Sequence, residues 1–222
     1  MVVSFVEFRK QKFNEQRKKN LDELYKQIKN NNIDDTHRKK LKHHYERYKS
    51  FLSNCRIKTY KQFLKELMNN KLLLCGLEIE PNRQLLDEQL QIEYYNKKFN
   101  HNIMRLRTSG KASICFDCTD RQNIILNNSW KLKKSNRSKT FDCYDSKTKT
   151  YYTLKHTENC GGAQDNQIND VIETLRCCKE YNIQHKNEQI KFKAILSGTY
   201  METHLDEIKK FKTDNIKIIF LH

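Results

Sequence analysis

The stretch that decides how this chain reads runs from Ser138 to Gln167, SKTFDCYDSKTKTYYTLKHTENCGGAQDNQ. Two β-like runs, Thr140 to Asp145 and Thr150 to His156, flank Ser146-Lys147-Thr148-Lys149, a polar four-residue connection suited to a hairpin. Closed symmetrically about that loop, the hairpin sets Asp145 opposite Thr150, Tyr144 opposite Tyr151, Cys143 opposite Tyr152 and Asp142 opposite Thr153. Residues two apart on a strand share a face, so Asp142, Thr153 and Lys155 are expected to gather on one side. Gly161-Gly162 follows and leads into a polar helix start. Glycines allow close backbone approach to a neighbour or a phosphate, and a helix N-terminus adds partial positive charge there.

A carboxylate beside a lysine at a strand end suits the cutting of phosphodiesters. At these residues, Asp142, the hairpin, Lys155 and Gly161-Gly162-Ala163-Gln164-Asp165, the chain resembles the core of the PD-(D/E)XK nuclease superfamily, particularly its type II restriction endonucleases. The resemblance covers roughly residues 109 to 222. It implies a Mg²⁺-dependent endonuclease acting on double-stranded DNA, with Asp142 holding the metal and Lys155 helping to activate water. It further implies that Gln164 positions Lys155 or touches the DNA backbone, and that symmetric cutting of both strands needs a homodimer. Thr153 departs from the family, standing where Glu or Asp usually supplies the second metal ligand, and a hydroxyl is a poor replacement for a hard anion at Mg²⁺. Either the acid comes from elsewhere or the site is inactive. Nearby acids are Glu158, Asp165 and Asp170. Relatives that borrow a glutamate from an early helix direct attention to Glu78 and Glu80, with Glu88 and Glu93 further along.

Downstream, Ile168, Val171, Ile172, Leu175 and Cys178 keep helical spacing over Gln164 to Tyr181. Phe192 to Leu196 reads as a buried strand, Met201 to Phe211 as a helix and Ile216 to Leu221 as a last strand. Strand, helix, strand requires a parallel crossover. The expected class is therefore α/β, a mixed sheet flanked by helices, over an endonuclease-like domain of residues 71–222.

A basic helical region, residues 1–70, is expected to precede it. Its 18 Lys/Arg and 8 Asp/Glu carry +10 of the chain's formal +16. Phe5, Phe8, Phe13, Leu21, Leu24, Tyr25 and Ile28 fall at helical spacing. Asp34 or Asp35 can cap a second helix through Leu41, Tyr45, Tyr48, Phe51 and Leu52, and Thr59 a third with Phe63, Leu64, Leu67 and Met68. Such a region is either a solvated bundle or a DNA-contacting arm. An apolar run, Leu72 to Leu77, ends near the only proline, Pro81, and a helix resumes from Leu85 to Phe99.

A net charge of +16 favours a polyanionic partner, nucleic acid first. No run approaches eighteen apolar residues, and Met1 to Val6 is too short for a signal peptide, so no membrane partner is expected and an intracellular location is. Richness in Asn, Lys and Ile suggests AT-rich coding of a bacterial or viral kind. Two basic connections offer phosphate contacts: Arg105, Arg107, Ser109 and Lys111 in one, and Lys133, Lys134 and Arg137 in the other. A rival reading starts from Cys115-x-x-Cys118, which has knuckle spacing. Cys143, His156 and Cys160 would have to complete a Zn²⁺ site. The alternative functions are thus an inactive nucleic-acid-binding protein with a nuclease fold, or a zinc-stabilised interaction module.

Overall fold

The computed structural model describes residues 3–77, 83–107 and 113–222. In chain order the elements are α1 (Phe5–Lys29), α2 (Asp35–Arg47), α3 (Lys49–Asn54), α4 (Tyr60–Asn69), α5 (Lys71–Cys75), α6 (Arg83–Phe99), β1 (Met104–Arg105), β2 (Ile114–Asp117), β3 (Ile125–Asn128), β4 (Cys143–Asp145), β5 (Thr150–His156), α7 (Gly162–Gln184), β6 (Lys191–Ser197), α8 (Thr199–Thr203), α9 (Leu205–Lys209) and β7 (Ile216–Leu221). The chain divides into two compact units. One comprises residues 1–9 and 84–222, the other residues 10–83. The boundary expected after residue 70 therefore falls inside the second unit, because Leu74 and Leu77 are buried in that unit's own core.

The helical unit is built from local signals. Asp34 accepts the His37 N–H at 2.8 Å and caps α2. Thr59 and Gln62 form a reciprocal capping box at the start of α4. Leu24, Ile28, Ile33, Leu41, Tyr45, Leu52, Phe63 and Leu67 close a core around which the lysines lie. Tyr45 keeps its hydroxyl satisfied by donating to the Lys58 carbonyl at 2.8 Å.

The other unit is α/β, as expected. Five strands form one mixed sheet in the order β1-β4-β5-β6-β7, antiparallel from β1 to β5 and parallel from β5 to β7. A separate antiparallel pair, β2-β3, joins the core beneath α7 through Phe116 and Ile124. On one face of the sheet Phe192, Ala194 and Leu196 pack with Ile168, Val171 and Leu175 of α7. Tyr152 and Lys193, of opposite parity, meet Tyr95 of α6. The two helices thus cover opposite faces. The first turn of α1 belongs to this unit: Phe5 is buried edge-on against Tyr94, with ring centroids 5.3 Å apart.

The hairpin closes in the expected register, Cys143 opposite Tyr152, Tyr144 opposite Tyr151 and Asp145 opposite Thr150. Its turn is fixed by the Asp145 carboxylate, which accepts from the Lys147 N–H at 2.9 Å and the Thr148 hydroxyl at 2.8 Å. β4 is nevertheless shorter than Thr140 to Asp145. Phe141 donates its N–H to Ile114 instead, and the Asp142 carbonyl accepts from Leu106, so the chain turns toward other partners there. Three further departures concern short elements. The helix expected over Met201 to Phe211 is two single turns, α8 and α9. The two-residue β1 and four-residue β3 carry too little periodicity to be read.

Candidate active site

The site forms where β4 parts from β5. The Asp142 N–H still donates to the Tyr152 carbonyl at 2.9 Å, but the next donor along β5, the Leu154 N–H, meets the Asp142 side chain. It donates to Oδ2 at 2.7 Å, and the Thr153 hydroxyl reaches the same oxygen at 3.4 Å. Both bonds end on Oδ2, and among the described residues no hydrogen bond engages Oδ1. Asp142 is buried, and burial pushes its carboxyl up to about 6. The Lys155 ammonium and the Leu154 N–H oppose that rise, whereas the negative charge of Glu88 adds to it. Asp142, Thr153 and Lys155 are therefore brought together as the hairpin predicts.

Glu88 is the second carboxylate acting on Asp142. It comes from α6, has a side chain only 13% exposed, and is gripped by the Arg105 guanidinium. The sequence placed it among four early glutamates without separating it from the rest. Glu78 and Glu80, the two singled out, lie outside the described residues, as do Ser109 and Lys111. Glu158 is engaged elsewhere, 3.4 Å from Arg9 and 3.0 Å from the His156 ring, and Asp165 accepts from the Tyr200 hydroxyl. Asp170 pairs with Lys139 at 3.2 Å.

Gln164 sits in the first turn of α7. Its amide oxygen turns back over Gly161, whose φ of +147° suits glycine, and no hydrogen bond joins it to Lys155. The residue that does hold the lysine's backbone is Gln91, which the sequence reading missed. It is fully buried, and its Nε2 donates to the Lys155 carbonyl and to the Ser197 hydroxyl, both at 2.9 Å. A glutamine beside Leu90 and one turn before Tyr94 and Tyr95, all buried, was the available signal. His156 points away, bonded to Ser197 at 2.9 Å, and burial together with the Arg9 charge lowers its affinity for a proton.

Of the expected DNA contacts, Arg107, Lys133 and Lys134 are exposed. Arg105 gives part of its charge to Glu88, and Arg137 is partly buried, its backbone forming an isolated antiparallel β-bridge with Asp117. The cysteines are arranged differently from a zinc knuckle. Cys118 Sγ lies 3.5 Å from Cys177 Sγ on α7, while Cys115 is buried and turns its thiol to the Asn127 carbonyl at 3.8 Å. Among the described residues no group of three or more His, Cys, Asp or Glu side chains is placed to hold a metal ion. Nor, among them, is any helix long and apolar enough to cross a membrane. Compared with known proteins, the chain matches no family model, no curated protein and no solved structure.

Proposed function

We propose that the chain is a Mg²⁺-dependent DNA endonuclease that hydrolyses phosphodiester bonds in duplex DNA at the Asp142–Lys155 site. The observation that carries this reading is a buried carboxylate, Asp142, with no hydrogen bond to one of its oxygens among the described residues, under the combined influence of a second carboxylate and a lysine. Hard oxygen donors suit Mg²⁺, which keeps several waters and needs only one or two protein carboxylates. Oδ1 of Asp142 and the Glu88 carboxylate fit that requirement, and Glu88 supplies from α6 the acid that Thr153 does not. Held by these two carboxylates, Mg²⁺ would supply polarisation of the phosphate and a lowered pKa for a bound water.

The chain's own residues do the rest. Leu154 and Thr153 fix the Asp142 carboxylate by holding Oδ2. Gln91 fixes the Lys155 backbone, so that the ammonium can orient the attacking water and offset charge on the phosphate. Arg107, Lys133 and Lys134 supply exposed positive charge, and Trp130, half exposed beside Lys131, offers a ring on which an unpaired base can stack.

One observation favours a second reading. Thr153 leaves the hairpin one acid short, and Glu88 is committed to Arg105. That arrangement also describes a nucleic-acid-binding protein that retains the fold without the chemistry. Digestion of mixed plasmid and genomic duplexes with Mg²⁺ or EDTA separates the two. Discrete Mg²⁺-dependent fragments support the endonuclease. Salt-sensitive binding that leaves every duplex intact supports the second reading.

A further inference from the structure

At the other end of β5 from Lys155, a pocket of about 130 Å³ is lined by Thr148, Thr150, Lys191, Lys193, Asp214 and Lys217, with Phe192 and Asn215. Thr150 precedes Lys155 by five residues, about 16 Å along a strand, so this is a separate place on the sheet. The register explains its charge. Lys193 pairs with Tyr152 on one side and with Lys217 on the other, and Lys191 lies two residues earlier on the same face of β6. Like charges side by side on adjacent strands are destabilising unless something between them compensates.

The protein supplies only part of that compensation. The Lys193 ammonium is steered by the Tyr95 hydroxyl at 3.2 Å and by the Tyr152 ring, 5.4 Å from its centroid. Among the described residues Asp214 is the one acidic side chain lining the pocket, against three lysines. The Thr148 and Thr150 hydroxyls are occupied with each other and with Asp145, so they form wall rather than recognition groups. Burial, then the charge of Lys217 and, less strongly, that of Lys191, make it harder for Lys193 to keep its proton, while the Asp145 carboxylate opposes them. An anion in the pocket relieves that strain.

We propose that this pocket binds a phosphate group. Three lysines and one aspartate line it, and with the Asp145 carboxylate close enough to act on Lys193 the surroundings keep a net positive charge that suits an anion. Its volume of about 130 Å³ is several times what one water needs, room for a phosphate-sized group. Lysines serve as point-charge binders of phosphate. The phosphate comes either from free phosphate or from the backbone of a bound nucleic acid, and the site stands whether or not Asp142 and Lys155 cut DNA.

The test uses the full chain, with Lys191→Gln/Lys217→Gln as an exposed-lysine variant that spares the half-buried Lys193. Its control is Lys186→Gln/Lys210→Gln, which removes the same charge elsewhere. Calorimetric titration with inorganic phosphate, and duplex binding across a salt series, are measured for each. Saturable phosphate binding lost only in the pocket variant supports the proposal with free phosphate as ligand. A salt slope reduced by about two in the pocket variant, and by clearly less in the control, supports it with backbone phosphate as ligand. Absence of phosphate binding, together with equal slopes in the two variants, overturns it.

Discussion

The side-chain oxygen of Asp142 accepts the Leu154 backbone N–H at 2.7 Å, taking a donor that the β4–β5 ladder no longer pairs. One carboxylate thus takes up a β5 donor that β4 leaves, and among the described residues its second oxygen has no hydrogen-bond partner. The arrangement puts a negative charge where water is scarce, with consequences that can be measured.

Stability should fall as pH rises through the Asp142 titration. A carboxyl group whose folded-state pKa of about 6 exceeds its ordinary 3.8 binds its proton more tightly when folded. Its ionisation therefore opposes folding fully above about pH 6, and the effect vanishes below about pH 4. Asp142→Asn keeps an acceptor for Leu154 and removes the charge. Urea denaturation should find the variant more stable by about 2–3 kcal/mol at pH 7, with the difference gone at pH 4. A variant equally stable at both pH values would contradict the burial of this charge.

Mg²⁺ should reverse the same penalty. At about 100 times its Kd a ligand of the folded state adds about 2.7 kcal/mol. The melting temperature of the wild type should rise with Mg²⁺, while Asp142→Asn and Glu88→Gln should show little response. EDTA alone should leave the fold intact. Unfolding in EDTA would point instead to a structural metal.

Gln91→Met fills similar space and deletes the donor to the Lys155 carbonyl. It should cost about 1–3 kcal/mol, because a buried carbonyl loses its partner. If Gln91 positions the lysine, the rate of any Mg²⁺-dependent cleavage should fall while affinity for duplex stays within about twofold. Parallel loss of both would mean a merely structural role.

Gly198 has φ +97°, and a Cβ there would lie 2.3 Å from the Thr157 carbonyl oxygen. That carbonyl accepts from both Tyr200 and Met201 at the start of α8. Gly198→Ala should lose about 2–4 kcal/mol in chemical denaturation, since neither the backbone angle nor the contact can relax freely. A loss below about 1 kcal/mol would show that the β6–α8 turn yields easily.

What could be read from the sequence was what short-range physics determines. The polar four-residue loop set the hairpin register, and with it the meeting of Asp142, Thr153 and Lys155. Asp34 and Thr59 announced their helices because caps are local. The parallel β5–α7–β6 order followed from periodicity alone. Glu88 could not be told apart from its neighbours, because its closeness to Asp142 depends on how α6 docks on the sheet. Gln91 was hidden for the same reason: its partners lie 64 and 106 residues away. The Gln164 side chain folds back toward Gly161 and makes no hydrogen bond to Lys155, a backbone effect of the glycine before the helix that residue order does not reveal. The pairing of Lys193 with Lys217 needed the register of two parallel strands.

The central claim is tested most directly by one digestion, in Mg²⁺, of a mixed set of duplex DNAs by the wild type, Asp142→Asn and Lys155→Ala. The account predicts discrete fragments from the wild type and at least a hundredfold slower cutting by each variant, with all three proteins folded and binding duplex. Cutting that survives in either variant, or a wild type that binds duplex and leaves the whole set intact, would contradict it.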